Sequence, residues 1–393
     1  MKFMGHSHLD TLFRSRFKLL FLLLAGTLSY PCALPQTSGP ASAQRLEQEG
    51  KLKEAAAAWR DVVKTNPNDS AAWASLGIAL ARLQEYGEAS SAYRKAIALN
   101  PKLPGVQLNL GLAEFKSNNL QAAVGPLRAA LAENPKNMQA RTLLGLSCYG
   151  TGQFVEASKH LEIASQADPS NAELHNVLAQ SCLLGKKYDC ALREFTWILQ
   201  RNPNSAAVHI LTGEALDGLD RTPEAIAEFD LAAKADPRTP NVNFGLGYLH
   251  WKMRRYDEAA AAFNNELSVD PQNAQTLAYL GDIELKRENS ERALLLLNRA
   301  VGLREDIRIA QMDIGVILTQ QKRYQEALSA LERAEKLDPE QPEVHYRLGR
   351  LHQAMGDTQS AQKEFARVQQ LHKKAEDDVV DKMSSFKQGP TTK

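Results

Sequence analysis

A proline returns every 34 residues along most of the chain, and this period constrains the fold more than any other feature. In a tandem array each unit packs only on its neighbours, so we expect the 393 residues to form a row of small units instead of two or three globular domains. One register contains Pro67, Pro101, Pro135, Pro169, Pro203, Pro237, Pro271 and Pro339, with Glu305 where a further proline is due.

Small residues recur at two other places in the period. With the proline numbered position 32, position 20 is alanine in every unit from Ala55 to Ala361, and position 8 is glycine in the units from Gly77 to Gly349 except at Ala179. Two small residues twelve apart, each within an apolar stretch of helical period, predict two antiparallel helices that approach closely. Position 24 is large and apolar in each unit: Trp59, Tyr93, Leu127, Leu161, Phe195, Phe229, Phe263, Leu297, Leu331 and Phe365.

The segment "WASLGIALARLQEYGEASSAYRKAIALNP", from Trp73 to Pro101, combines these features in one unit. Its Leu-Gly, later Tyr, Ala, aromatic, Ala and Pro resemble the signature of the tetratricopeptide-repeat family, and the resemblance covers about residues 40–375. It implies an all-α fold, a right-handed α-solenoid whose first helices line a concave groove that usually takes peptides or partner proteins. The tyrosine that the family typically has at position 11 is absent; residues such as Leu80 and Glu114 stand there.

The expected domain organisation follows from the register. We expect a signal peptide and linker at 1–35, the repeat array at 36–375, and a capping helix with a frayed tail at 376–393. The units are expected at about 36–69, 70–103, 104–137, 138–171, 172–205, 206–239, 240–273, 274–307, 308–341 and 342–375. The capping helix is predicted from Val379, Val380, Met383 and Phe386, which recur at helical spacing.

The first residues have the layout of a secretory signal. Arg14, Arg16 and Lys18 precede an apolar run from Leu19 to about Leu28, which is shorter than the ~20 residues that a membrane-spanning helix needs. We therefore expect a periplasmic or secreted protein, with membrane contact only through the signal segment or a partner.

Composition and motifs argue against several classes of function. The formal net charge is +1 and the charges are interspersed, so we expect no nucleic-acid binding. No phosphate-cradling glycine loop, His-Glu-x-x-His or Cys-x-x-Cys is present, so we expect no catalytic residues, no metal and no cofactor. His175 and His209 share position 4 of consecutive units, and His345 and His352 lie seven apart; a metal or pH-sensing site is conceivable there, and packing histidines are the simpler interpretation.

Two cysteines are candidates for a disulfide. Cys182 and Cys190 are eight residues apart across the predicted turn of one helical hairpin, so an exported chain would be able to join them. Small buried thiols are the alternative.

Aromatic residues mark the predicted groove. Phe244, Tyr248 and Trp251 lie at positions 5, 9 and 12, which share one helical face. Aromatic side chains dominate many binding hot spots, although these could instead pack against one another. Neighbouring units add Phe115, Tyr149, Tyr279 and Tyr346 at similar positions.

The predicted function is that of a non-catalytic scaffold that binds a protein or peptide in the groove. A more specific alternative is an accessory subunit of a cell-envelope machine, such as outer-membrane assembly, pilus biogenesis or polysaccharide export. Chaperone-docking members of the family have a lysine at position 5; this chain has none there, which disfavours that role.

Overall fold

The structure, a computed structural model, describes residues 39–387 and the side chains of residues 39–378. The predicted signal peptide lies outside these residues. The described part of the chain is all-α, with twenty helices and no strand. In chain order they are α1 Pro40–Gln48, α2 Leu52–Thr65, α3 Ser70–Arg82, α4 Tyr86–Leu99, α5 Val106–Lys116, α6 Leu120–Glu133, α7 Met138–Gly150, α8 Phe154–Ala167, α9 Ala172–Leu184, α10 Tyr188–Leu199, α11 Ala206–Gly218, α12 Thr222–Ala235, α13 Val242–Lys252, α14 Tyr256–Val269, α15 Ala274–Lys286, α16 Ser290–Leu303, α17 Arg308–Gln320, α18 Tyr324–Leu337, α19 Pro342–Met355 and α20 Thr358–Lys387.

Helices pack in consecutive pairs, which confirms the predicted α-solenoid. The chain divides into two compact units, Met1–Arg221 and Thr222–Lys393, referred to below as the N-terminal and C-terminal units. The division falls between α11 and α12, the two helices of the repeat at 206–239. Within each unit the first helices of neighbouring repeats also contact one another, as α5 contacts α7 and α15 contacts α17. The surface that α13, α15, α17 and α19 form together is called the first-helix face.

The glycine at position 8 is explained by the side chain at position 24 of the same repeat. A Cβ atom built on Gly315 would lie 2.5 Å from Leu331 Cγ, and one on Gly145 would lie 2.7 Å from Leu161 Cγ. These distances are shorter than carbon atoms tolerate, so the position-24 side chain occupies the space where a position-8 side chain would stand. The alanines at position 20 are completely or almost completely buried in all ten repeats, as the predicted close approach requires.

The turn between the two helices of a repeat depends on one left-handed residue at position 15. All ten position-15 residues have positive φ: Gly50, Gln84, Asn118, Gly152, Lys186, Asp220, Arg254, Glu288, Lys322 and Gly356. Because only three of them are glycine, no recurring residue type at position 15 predicts this turn. Their backbone strain is tolerated because the helices on both sides fix the turn.

Position 4 has a shared structural role that the sequence analysis missed. In seven repeats its side chain contacts the backbone carbonyl six residues earlier, which belongs to the repeat-ending proline or to Glu305. These contacts are between 2.6 and 3.5 Å long and come from Trp73, Arg141, His175, His209, Asn243, Gln311 and His345. Residues of different types make this contact because each side chain carries a nitrogen that reaches the carbonyl oxygen. The histidines at position 4 are therefore packing residues that link consecutive repeats.

The repeat end that lacks its proline still forms a turn between two helices. Glu305 lies in this turn, since α16 ends at Leu303 and α17 begins at Arg308. The N-cap of α17 is Ile307, without a side-chain bond, and Asp306 forms an ion pair with Arg304 at 3.1 Å.

The capping helix is not a separate element. The second helix of the last repeat, α20, continues without a break from Thr358 to Lys387, because no proline stops it. The side chains of Val379, Val380, Met383 and Phe386 lie outside the described residues, so their predicted covering role stays a prediction.

A pair of glycine substitutions tests the packing at position 8. We expect Gly315→Ala to lower the free energy of unfolding by about 1–3 kcal/mol, because the new methyl group overlaps Leu331. Gly302→Ala is the matched control: nothing lies within 4 Å of its Cβ site, so we expect a gain of about 0.5–1 kcal/mol from helix propensity. Urea denaturation followed by circular dichroism measures both, and equal effects of the two changes would contradict the packing account.

Candidate functional site

Aromatic side chains meet on the first-helix face of the C-terminal unit. Tyr279 of α15 lies at the centre of this aromatic cluster, with ring centroids 5.0 Å from Trp251, 5.7 Å from Tyr248 and 5.9 Å from Phe244. Phe263 of α14 packs on it from below at 5.7 Å. Aromatic pairs at these distances each stabilise by roughly 0.5–1.5 kcal/mol. The cluster therefore holds α13, α14 and α15 together.

The members of the cluster differ in exposure. Phe244 is 2% exposed and Tyr279 is 5% exposed, so neither side chain reaches a partner without rearrangement. Burial raises the pKa of the Tyr279 hydroxyl, which stays neutral. Tyr248 and Trp251 are half-buried. The structure thus places Phe244 and Tyr279 as supports, and Tyr248 and Trp251 as the members of the cluster that solvent reaches.

The other aromatic candidates are scattered. Phe115 and Tyr149 lie in the N-terminal unit, half-buried against its core. Tyr149 donates a hydrogen bond to Gln180 Oε1 at 2.5 Å, and burial raises its pKa. Tyr346 of α19 is 41% exposed, with Phe365 beside it and the guanidinium of Arg347 5.6 Å from its ring centre. Among the seven predicted partner-binding aromatics, only Tyr346 is largely open to solvent.

A buried carboxylate fixes the orientation of Trp251. Asp282 of α15 is 2% exposed and accepts hydrogen bonds from Trp251 Nε1 and from Lys286 Nζ, each at 2.6 Å. Partial burial lowers the pKa of Lys286, but the hydrogen bond and charge of Asp282 outweigh this and raise it overall, so Lys286 is cationic. Asp282 therefore positions one aromatic and one charged side chain on the same surface.

Asp313 of α17 is a second buried acid beside Asp282. It is 3% exposed, and its Oδ2 has no hydrogen-bond partner in the described part of the chain. Burial, and then the charge of Asp282, raise the pKa of Asp313 well above its ordinary value, while Lys286 and Arg347 oppose the shift. Asp313 was not predicted from the sequence. The available signal was a single acidic residue among apolar ones, in "MDIGVIL".

Another buried acid supports the start of α13. Glu266 of α14 accepts hydrogen bonds from the backbone N–H groups of Asn241 and Phe244, at 2.9 and 3.1 Å. Burial raises its pKa, and these two bonds partly offset the rise. Alanine occupies the equivalent place in most other repeats, so Glu266 is a local adaptation that caps the helix carrying Trp251.

Acidic side chains also occupy position 11 in two repeats. Glu114 and Glu284 are almost fully buried there, and each accepts a hydrogen bond from an asparagine at the start of the following helix, Asn119 or Asn289. Arg94 and Arg287 form ion pairs with them. In these two repeats, polar bonds therefore satisfy a buried acid at position 11.

Cys182 and Cys190 are joined in a disulfide in the structure. Their Cα atoms are 5.8 Å apart, and the bond connects α9 to α10 in the repeat whose position 8 is Ala179. Cys148, at position 11 of the preceding repeat, is a buried free thiol whose pKa burial raises to about 11. Cys32 lies outside the described residues.

The described residues contain no group of three or more His, Cys, Asp and Glu side chains that could hold a metal ion. His175 and His345 instead contact the carboxylates of Glu194 and Glu364, at 2.6 and 2.7 Å. Among the same residues, no helix combines the length and the apolar character that crossing a membrane requires.

Comparison with known protein families agrees with the repeat geometry. Residues 36–175 match the cytochrome c-type biogenesis protein H TPR domain, and residues 185–240, 244–307, 284–342 and 318–379 match tetratricopeptide-repeat models. The chain belongs to the tetratricopeptide-repeat family. Repeats of this family are typically interaction scaffolds without catalytic residues. No curated protein sequence matches the chain.

Solved tetratricopeptide-repeat structures are similar to parts or most of the chain. YrrB, described as a TPR protein with an unusual peptide-binding site, is 24% identical, with a TM-score of 0.36, over 45% of this chain and 91% of its own. MamA from MSR-1 is 25% identical, with a TM-score of 0.37, over 42% of this chain and 95% of its own. Yeast Tom70 is 14% identical, with a TM-score of 0.42, over 88% and 95% respectively.

Replacing Asp313 tests the acid pair. Because the pKa of Asp313 is raised above its unfolded value of 3.8, its ionisation opposes folding above that pH, and the loss of stability grows as the pH rises toward the folded pKa. We therefore expect Asp313→Asn to raise the urea midpoint at pH 7, with a gain that shrinks toward pH 4. Asp306→Asn, at an exposed ion pair, is the control and should change little. A variant that is less stable than wild type at pH 7 would contradict this account.

Reduction tests the disulfide. We expect a reductant to lower the free energy of unfolding by about 2.5 kcal/mol, the loop-closure contribution for a bridge of this span. A double variant, Cys182→Ser with Cys190→Ser, should not respond to the reductant. If thiol labelling of the denatured, unreduced protein modified both cysteines, the bridge would be absent.

Proposed function

We propose that the chain is a non-catalytic interaction scaffold that binds a protein or peptide partner on the first-helix face of its C-terminal unit. The observation that carries the proposal is the fixed orientation of Trp251, whose indole is held by buried Asp282 and by the edge of Tyr279. A half-buried aromatic with little rotamer freedom loses little entropy when a partner covers it. Such residues are typical centres of binding hot spots.

The residues of this face divide into contacts and supports. Tyr248, Trp251 and Tyr346 would contact the partner, because solvent reaches their side chains. Phe244 and Tyr279 would act only by holding the first two in place. Membership of the tetratricopeptide-repeat family supports a scaffold role, since its function resides on the surfaces of the helix pairs.

A more specific alternative is an accessory subunit of a cell-envelope assembly or export machine. Two observations favour it: residues 36–175 match a repeat domain named for cytochrome c-type biogenesis, and Cys182 is bridged to Cys190. Structural disulfides persist in oxidising compartments, and the signal-like first residues of the sequence agree with export to the periplasm or beyond.

Stoichiometry separates the two candidates. An accessory subunit would co-purify in a complex of fixed composition, whereas a general scaffold would exchange its partner on dilution. Assays of the purified protein for glycosyl transfer and peptide hydrolysis test the third class, an enzyme, and we expect both to be negative.

Site-specific photocrosslinking tests the face directly. A photoreactive residue at Tyr346 or Gln353, both on α19, should capture a discrete partner in cells. The matched control is Leu295 of α16, a second-helix residue that is 70% exposed. Capture at Leu295 with none at Tyr346 and Gln353 would move the binding surface to the second helices and overturn the proposal.

A further inference from the structure

A basic pocket opens beside Trp251 within the C-terminal unit. It has a volume of about 520 Å³ and is lined by Trp251, Lys252, Arg254, Tyr256 and Lys286. Three of these residues are cations, two are aromatic, and none carries a carboxylate. Its volume falls within the range of about 300–1,000 Å³ that ligand sites usually have.

The equivalent place two repeats later lacks this combination. In the repeat at 308–341, Thr319 and Gln320 stand where the pocket has Trp251 and Lys252, and Ala354 of the next repeat replaces Lys286. Only Lys322 and Tyr324 retain the chemistry of Arg254 and Tyr256. The repeat architecture alone therefore does not require three cations and a tryptophan here.

Buried Asp282 organises the pocket from behind. It binds both Trp251 and Lys286 but is only 2% exposed, so its negative charge is not presented to a ligand. Burial of two acids, Asp282 and Asp313, in one place opposes stability, and a preorganised surface is the kind of gain that offsets such a cost. The accessible charge of the pocket is positive.

The cationic character continues along the first-helix face. Arg350 of α19 is exposed there. Arg347 forms an ion pair with Glu343 at 2.6 Å, and its charge also acts on Asp313. Cations on α13, α15 and α19 match a ligand that carries negative charge over a distance. This distribution favours an extended chain over a single small anion.

We infer that the basic pocket binds carboxylate side chains of an acidic peptide segment that lies along the first-helix face. Lys252, Arg254 and Lys286 would donate charge-assisted hydrogen bonds to a carboxylate, and Trp251 and Tyr256 would cover the apolar stem of its side chain. This inference rests on the proposed function and adds to it the chemistry of the partner. The residues that line the pocket lie at positions 12 to 17 of one repeat and at position 13 of the next.

Fluorescence anisotropy with a labelled oligoglutamate peptide tests the inference on the full chain. A peptide of about ten residues reaches roughly 30 Å when extended, enough to cross several first helices at 8–10 Å spacing. At about 0.1 M ionic strength, where charges more than about 10 Å apart are screened, we expect saturable binding. The double variant Lys252→Ala with Arg254→Ala should weaken it about tenfold or more, as loss of two charged hydrogen bonds implies.

Lys322→Ala is the matched control, because Lys322 shares the repeat position and the left-handed backbone of Arg254, with φ of 62° against 59°. We expect it to leave binding unchanged. Equal weakening by Lys322→Ala would show diffuse electrostatic attraction and overturn the inference. The inference is also overturned if inorganic phosphate binds in the pocket at matched ionic strength and oligoglutamate does not, because phosphate is a different class of ligand.

The two proposals fail separately. If oligoglutamate does not bind but photocrosslinking at Tyr346 and Gln353 captures a partner, the first-helix face is a binding surface and the acidic-peptide inference is wrong. If crosslinking identifies only second-helix contacts, the proposed function itself is wrong.

Discussion

In seven repeats the position-24 side chain occupies the space that a missing side chain at position 8 leaves open, and the other features of the structure depend on this contact. It sets the distance between the two helices of a repeat, as Leu331 does over Gly315. Alanine at position 20 allows the same close approach on the facing helix. Because that contact fixes how each first helix is rotated, positions 5, 9, 12 and 13 are presented on a common face. In the C-terminal unit this face carries the aromatic cluster and the basic pocket.

Polar groups give this face an individual character that the repeat does not supply. Asp282 is buried at a place where its two bonds go to Trp251 and Lys286, and Glu266 caps the helix on which Trp251 stands. Burying carboxylates is costly unless their bonds are satisfied, and Asp313 has one oxygen without a partner among the described residues. A stability requirement alone would favour apolar residues at these sites. The arrangement is therefore better explained by the surface that it organises.

The fold was largely predictable because its signals are periodic. Proline, Gly and Ala recur in a register of 34 residues, and the helix pairs follow that register closely. The left-handed residue at position 15 and the donor at position 4 were not predictable. Position 15 requires only a backbone conformation, and position 4 requires only one side-chain N–H group, so residues of many types occur at both. The candidate site was predictable only in part. Helical spacing placed Phe244, Tyr248 and Trp251 on one face, but it did not show that Phe244 is buried, because that depends on Phe263 and Tyr279 from neighbouring helices.

The chain contains four tryptophans, Trp59, Trp73, Trp197 and Trp251, and they allow one direct measurement of where an acidic partner binds. Fluorine NMR of the protein labelled with 5-fluorotryptophan, with each resonance assigned by a Trp→Phe variant, follows all four during a titration with oligoglutamate. The account predicts that the Trp251 resonance shifts while the other three stay in place. Trp73 lines a separate cavity of about 630 Å³ in the N-terminal unit. A shift of the Trp73 resonance in place of the Trp251 resonance would contradict the account, and so would a titration in which no resonance shifts.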